Sequence, residues 1–171
     1  MEDIFTSRIF KVVRKFVVGR SGAKLARDVI VHPGAVVILP LLDDGQVVLL
    51  RQFRVSVEER LIELPAGTLE PPELPYETAR RELLEETGYT AGSLVEASHF
   101  YSSPGILRET MHLFVAKDLI AGPTNLEDGE DIEVFTVPLE KAVDMVYSGE
   151  IKDSKTIIGV LWYWNSLRNK T

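Results

Sequence analysis

Two unbroken apolar runs, Val36-Val37-Ile38-Leu39 and Val47-Val48-Leu49-Leu50, constrain this chain most. A strand with one solvated face alternates apolar and polar residues, because successive side chains point to opposite sides. Runs without alternation belong to strands covered on both faces, so the chain needs a sheet with helices on each side. Asp43-Asp44-Gly45 separates the runs and reads as a hairpin turn. Upstream, residues 10–18 and 24–31 are rich in β-branched and aromatic types and flank Gly19-Arg20-Ser21-Gly22, which predicts an N-terminal antiparallel hairpin. Pro33-Gly34 breaks the chain after it. The hairpin is therefore expected to stand apart from the main sheet, giving an N-terminal β segment over 1–31 and a main domain over 32–171.

Residues 61–64, 94–101, 110–116 and 132–137 read as further strands, and Pro75–Thr87, Leu139–Tyr147 and 155–167 as helices. The class is α/β or α+β. With 171 residues, 45% of them apolar, the chain can bury a core of ordinary size. It carries no cysteine, which excludes disulfides, thiolate zinc sites and cysteine nucleophiles. No apolar run approaches the ~20 residues of a membrane span, and no membrane partner is expected. The opening MEDIFTSRIFKVV lacks a basic segment before an apolar one, so a cytoplasmic location is expected. Nineteen basic residues stand against twenty-six acidic ones, a formal charge of -7, which disfavours a nucleic-acid surface. An acidic protein can still bind phosphates through a metal ion.

The segment from Gly67 to Tyr89, GTLEPPELPYETARRELLEETGY, carries the chemistry. On a helix at ~100° per residue, Glu82 and Glu86 lie ~40° apart and Glu85 ~60° to the other side of Glu82. Three carboxylates thus share one face, while Ala79, Leu83, Leu84 and Thr87 occupy much of the rest. Like charges so placed cost stability, more so in a cleft. Two readings fit: a solvated acidic face, or hard oxygen ligands for Mg²⁺ or Mn²⁺ with Arg81 neutralising one carboxylate. Gly88 suits a left-handed cap at the end of the helix. At its start, Leu74 stands where a side-chain acceptor is usual, and ~1 kcal/mol of helix stability is expected to be missing.

Spacing adds to this. Gly67, five residues, Glu73, seven residues, Arg81-Glu82-Leu83, one residue, Glu85-Glu86, one residue, Gly88-Tyr89 resembles the signature of the Nudix hydrolases at every fixed position. Arg51-Gln52-Phe53-Arg54, Glu63-Leu64-Pro65-Ala66-Gly67 and Ser103-Pro104-Gly105 with Glu109 resemble the ADP-ribose pyrophosphatase branch. The resemblance implies an α/β/α sandwich with a mixed sheet. It implies that Glu82, Glu85 and Glu86 ligate metal together with the backbone carbonyl of Ala66. Arg81 would pair with a signature carboxylate and Glu73 would hold the loop, with Gly67 and Gly88 as structural members. The implied activity is Mg²⁺-dependent hydrolysis of ADP-ribose, or a related ADP-sugar, to AMP and ribose 5-phosphate. Other nucleoside diphosphate derivatives, including flavin adenine dinucleotide, are the alternative substrates. A non-catalytic ADP-ribose sensor is the alternative of another class.

Beyond the signature, Arg54 reads either as a surface ion pair or as a bidentate clamp on a diphosphate. Glu63 lies on the next strand within reach of it, either to orient that arginine or to accept from the substrate. Ser102-Ser103-Pro104-Gly105 is a turn by composition. The resemblance makes Pro104 and Gly105 the lip of a ribose pocket and Glu109 a polar contact or a further acid. It also places a general base in the acidic loop, with Glu130 first, then Asp128 and Glu127. His32, His99 and His112 are too scattered for a metal motif. The branch further implies a homodimer in which exchanged N-terminal segments bring residues near Arg27, or an aromatic of the hairpin, to the neighbour's substrate.

Overall fold

The computed structural model describes residues 1–124 and 131–168. Strands β1 (Glu2–Thr6), β2 (Lys11–Val18) and β3 (Lys24–Val31) come first, then β4 (Ala35–Pro40), β5 (Gln46–Arg54), β6 (Glu59–Glu63) and β7 (Ala66–Thr68). Helix α1 (Pro75–Thr87) precedes β8 (Tyr89–Tyr101), β9 (Leu107–Arg108), β10 (Thr110–Ala121) and β11 (Ile132–Pro138). Helices α2 (Leu139–Tyr147) and α3 (Ser154–Arg168) follow. Among the described residues no helix is long and apolar enough to cross a membrane.

The strands form three sheets, ordered β1-β2-β3-β9, β7-β4-β10-β8 and β11-β5-β6. The second is mixed, because β10 runs parallel to β4 and antiparallel to β8. Its central strand β4 is buried throughout, as the unbroken apolar run requires. Val36 and Ile38 pack with Ala79 and Leu83 of α1. Val37 and Leu39 point the other way, into a core with Val47, Leu49, Ala142 and Val160. Alternate residues of one strand thus feed two apolar layers, and the result is a mixed α/β fold with helices on both faces.

One expectation needs correcting. The Asp43-Asp44-Gly45 turn exists, with Gly45 at φ 82° and its N–H donating to Leu42 O over 2.9 Å. Yet β4 and β5 do not form a ladder; only a Leu41–Val47 bridge joins them. Both edges of β4 are already paired, with β7 and β10. The second apolar run therefore departs into the β11-β5-β6 sheet.

The N-terminal hairpin forms as expected, and its register runs from Lys11 opposite Val31 to Val18 opposite Lys24. It lies in a sheet separate from β4, but that sheet also takes β9 from the body of the chain, with Ile30 and Val31 beside Leu107 and Arg108. Strands β7 and β9, of three and two residues, are too short for a two-residue period to announce them. Strand β8 starts at Tyr89, directly after Gly88, earlier than composition suggests. Gly88 has φ 73°, and a Cβ there would lie 2.4 Å from Gly122 O, so both backbone and space call for glycine.

Candidate active site

Helix α1 begins without a side-chain cap, since Leu74 has no acceptor. Part of the cost is offset locally. Pro75 needs no N–H partner, and Glu77 accepts the Leu74 N–H over 2.8 Å. Glu73, just before the helix, accepts from the Thr78 hydroxyl at 2.8 Å and from Arg81 Nε at 3.2 Å. Arg81 Nη1 also donates to Glu82 Oε1 at 2.8 Å and to Glu85 Oε2 at 2.9 Å. One guanidinium thus serves three carboxylates. Burial works against its charge, but the Glu73 hydrogen bond, the Glu82 charge and the bonds to Glu85 and Glu82 raise its pKa well above the ordinary arginine value. The Arg81 hydrogen bond in turn holds the Glu73 carboxyl below its usual range.

The strand facing the helix is positioned from three sides. Leu64 N–H donates to the Thr156 hydroxyl over 2.8 Å, and Pro65 O accepts from Ile38 N–H over 2.8 Å. Ala66 N–H donates to Glu86 Oε2 over 2.9 Å. Glu86 is 3% exposed, a deep position for a carboxylate. Gly67 follows, and a Cβ on it would sit 1.9 Å from the Glu82 carboxyl carbon. Only glycine lets the Glu82 carboxylate rest against this strand.

These groups line a cleft of about 490 Å³, shared by Ala66, Gly67, Arg81, Glu82, Glu85 and Glu86 with Gln52 and Arg54. Among the described residues no three carboxylates or imidazoles converge as a ready-made cation cage. The donor set still fits a hard divalent ion: three carboxylates and the Ala66 carbonyl offer oxygen alone. Arg81 Nη1 already stands as a positive group between Glu82 and Glu85. The Gly67 cradle keeps room for the Glu82 carboxylate beside Ala66.

Arg54 enters the cleft from the end of β5. Its Nε and Nη2 donate to Glu63 Oε1 and Oε2, both over 2.7 Å. Hydrogen bonding to Glu63 raises the Arg54 pKa against the opposing effect of burial. Burial pushes Glu63 up, but the Arg54 hydrogen bonds and the Lys155 charge prevail and hold it below its usual value. Glu109 lines an adjoining cavity of about 280 Å³ together with Arg54, Ala66 and Lys155. It accepts from the Ser102 hydroxyl over 2.5 Å and lies 3.0 Å from His32 Nδ1.

Other expected residues lie elsewhere. Pro104 and Gly105 line a separate cavity with Lys15 and Tyr101. Arg27 lines neither the acidic cleft nor the cavity beside it within one chain, and its Nη1 donates to Ala26 O. Glu130, Asp128 and Glu127 fall outside the described residues. His112 Nδ1 pairs with Glu96 at 2.8 Å on the β8–β10 ladder, away from the cleft. Sequence reasoning missed Arg8 and Ile9, which line the cleft from the turn where Ser7 Oγ accepts Phe10 N–H over 2.9 Å. It quoted Gln52 but gave it no role; its Oε1 is buried and lacks a hydrogen-bond partner among the described residues.

Acidic helix, glycine cradle and two-faced mixed sheet together define a class of phosphate-handling α/β enzyme. The NUDIX domain family matches residues 31–157, and the chain belongs to that family. It is 39% identical to the ADP-ribose pyrophosphatase of Bacillus subtilis (strain 168) over 161 residues, 93% of this chain and 87% of that protein. It is 39% identical to the GDP-mannose pyrophosphatase of Citrobacter koseri over 134 residues, 73% of this chain and 70% of that one. The fold is similar to a solved structure described as an ADP compounds hydrolase, with TM-score 0.86 and 24% identity over 99% of this chain and 92% of that chain.

Proposed function

We propose that this Nudix pyrophosphohydrolase splits the diphosphate of ADP-ribose, or a closely related ADP-sugar, into AMP and ribose 5-phosphate. One water is consumed: its oxygen bonds to one phosphorus, and the bridging oxygen leaves with the other phosphate. The observation that carries the reading is the meeting of the α1 carboxylates and Arg54 in one cleft. The similarity to an ADP-ribose pyrophosphatase across nearly the whole chain supports the substrate class. The similarity to GDP-mannose pyrophosphatases keeps other nucleotide sugars within the same class.

Glu82, Glu85, Glu86 and the Ala66 carbonyl would hold the divalent ion, Mg²⁺ or alternatively Mn²⁺. That ion would neutralise the diphosphate and acidify water for attack. Arg54, with Nε and Nη2 engaged by Glu63, offers its Nη1 donors to diphosphate oxygens. A carboxylate of the α1 face, or a glutamate of the 125–130 loop, takes the proton from the attacking water. Arg81 holds Glu82 and Glu85 in place through its ion pairs with both. The cysteine-free sequence supports a cytoplasmic setting, and two copies are proposed to associate through the N-terminal sheet.

The test is a panel of nucleoside diphosphate derivatives assayed for kcat/KM with Mg²⁺, AMP release from ADP-ribose being the expected leading activity. Binding of ADP-ribose without turnover would move the reading to a sensor. Preference for a guanosine sugar would move it to another nucleotide-sugar hydrolase.

A further inference from the structure

Glu63 is only 1% exposed, yet it is a carboxylate at the end of an edge strand. Two cations from different elements meet it. Arg54 takes one edge through two hydrogen bonds of 2.7 Å. Lys155 Nζ contacts Oε2, the oxygen that also accepts from Arg54 Nη2. Lys155 itself lies 3.1 Å from Asp153 Oδ1, and its side chain is 15% exposed. An ammonium normally keeps to water, so one held between two carboxylates has a task beyond solubility.

The first turn of α3 is built around this contact. Asp153 Oδ2 caps the helix, accepting the Thr156 N–H at 3.0 Å and the Thr156 hydroxyl at 2.6 Å. That hydroxyl then accepts the Leu64 N–H. The helix therefore grips the end of β6 twice, by backbone at Leu64 and by side chain at Glu63.

Arg54 has five N–H donors, and Glu63 uses two of them. Among the described residues the guanidinium makes no other hydrogen bond; the side chain is 38% exposed and lines both the acidic cleft and the cavity beside it. Its direction is set by the two hydrogen bonds to Glu63, while Glu86 and Asp153 act on it through charge alone. A carboxylate held by Arg54 alone would move with it; one anchored from α3 cannot.

We propose that Lys155 is a positioning residue for the reaction: from α3 it fixes the Glu63 carboxylate, and through Glu63 the guanidinium edge that Arg54 presents to the substrate diphosphate. The proposal rests on Arg54 being the diphosphate-binding group. Lys155 acts through Glu63, so its effect disappears when Arg54 is absent. A lysine that touched substrate itself would act independently of Arg54.

A double-mutant cycle with ADP-ribose and Mg²⁺ tests this. Lys155→Met is expected to raise KM roughly tenfold with kcat little changed, the usual scale for a supporting contact behind a binding group. Lys155→Arg, which keeps the charge, should return KM to within about threefold of wild type. In the Arg54→Ala background Lys155→Met should change KM by less than about twofold. Melting temperatures separate folding loss from positioning, and Lys155→Gln replaces the methionine variant if that one does not fold. An equal KM effect in both backgrounds, or none in the wild-type background, overturns the proposal while leaving Arg54 in its role. An unchanged KM in Arg54→Ala alone removes the underlying reading and the proposal with it.

Discussion

The Ala66 N–H and the Glu86 carboxylate, twenty residues apart in sequence, are joined by a 2.9 Å hydrogen bond. That bond fixes the strand carrying the Ala66 carbonyl against the last turn of α1. Glu86→Gln keeps an acceptor for the N–H but removes one negative charge from the donor set. The fold should survive, and kcat should fall about a hundredfold at saturating Mg²⁺. Mg²⁺ should raise the melting temperature of the wild type and much less that of the variant. Near wild-type turnover in Glu86→Gln would sink the assignment of this face as a metal site.

Gly67 gives a sharper test, because its environment is steric. A Cβ there would lie 1.9 Å from both the carboxyl carbon and Oε1 of Glu82. In Gly67→Ala the Glu82 side chain must swing aside. A destabilisation of about 1–3 kcal/mol and a kcat loss near a hundredfold are expected. Adding Glu82→Ala should restore the melting temperature but not the activity. A Gly67→Ala enzyme of full activity would show that the position of Glu82 is irrelevant to catalysis.

Much of this site is legible in the sequence. The carboxylate face of α1 follows from helical spacing, and the burial of β4 from its lack of alternation. What stayed hidden depends on pairing between distant segments. Nothing local in Leu41 to Val47 says that β4 will be claimed by β10, whose Met111 pairs with Ala35. Lys155 stands 92 residues from Glu63, and no periodicity links them. Arg8 sits in a turn whose own composition gives no hint that it reaches the cleft. Arg54 and Glu63 were legible as a pair because they lie on neighbouring strands of one ladder.

The Glu63 cluster also has a pH signature. Its carboxyl is held below the ordinary value of 4.5, because Arg54 and Lys155 outweigh burial. A lowered folded pKa gives stability that is fully present above 4.5 and lost as pH falls through the folded value. Glu63→Gln at neutral pH should cost roughly 2–3 kcal/mol, below the usual figure for a broken buried pair because Arg54 is partly exposed. The gap in melting temperature between wild type and Glu63→Gln should shrink below pH 4.5. A gap that stays constant down to acid unfolding would show that Glu63 is not ionised in the folded protein.

The N-terminal sheet predicts assembly. Within one chain Val13 is the buried apolar residue of β2, while Phe5, Phe16, Val17, Val18 and Leu25 remain exposed. A small sheet that leaves so many apolar side chains in water lacks a packing partner. A second copy of the chain would supply a self-complementary surface under two-fold symmetry. Such an arrangement would also give Arg27, which lines neither the acidic cleft nor the cavity beside it, a neighbour's cleft to reach. Sedimentation at micromolar concentration should give a particle of twice the 19.2 kDa chain mass. Deleting residues 1–30 should leave insoluble or inactive protein, and Arg27→Ala should raise KM without altering the sedimentation coefficient. A fully active particle of one chain mass would defeat the dimer and return the hairpin to its own subunit.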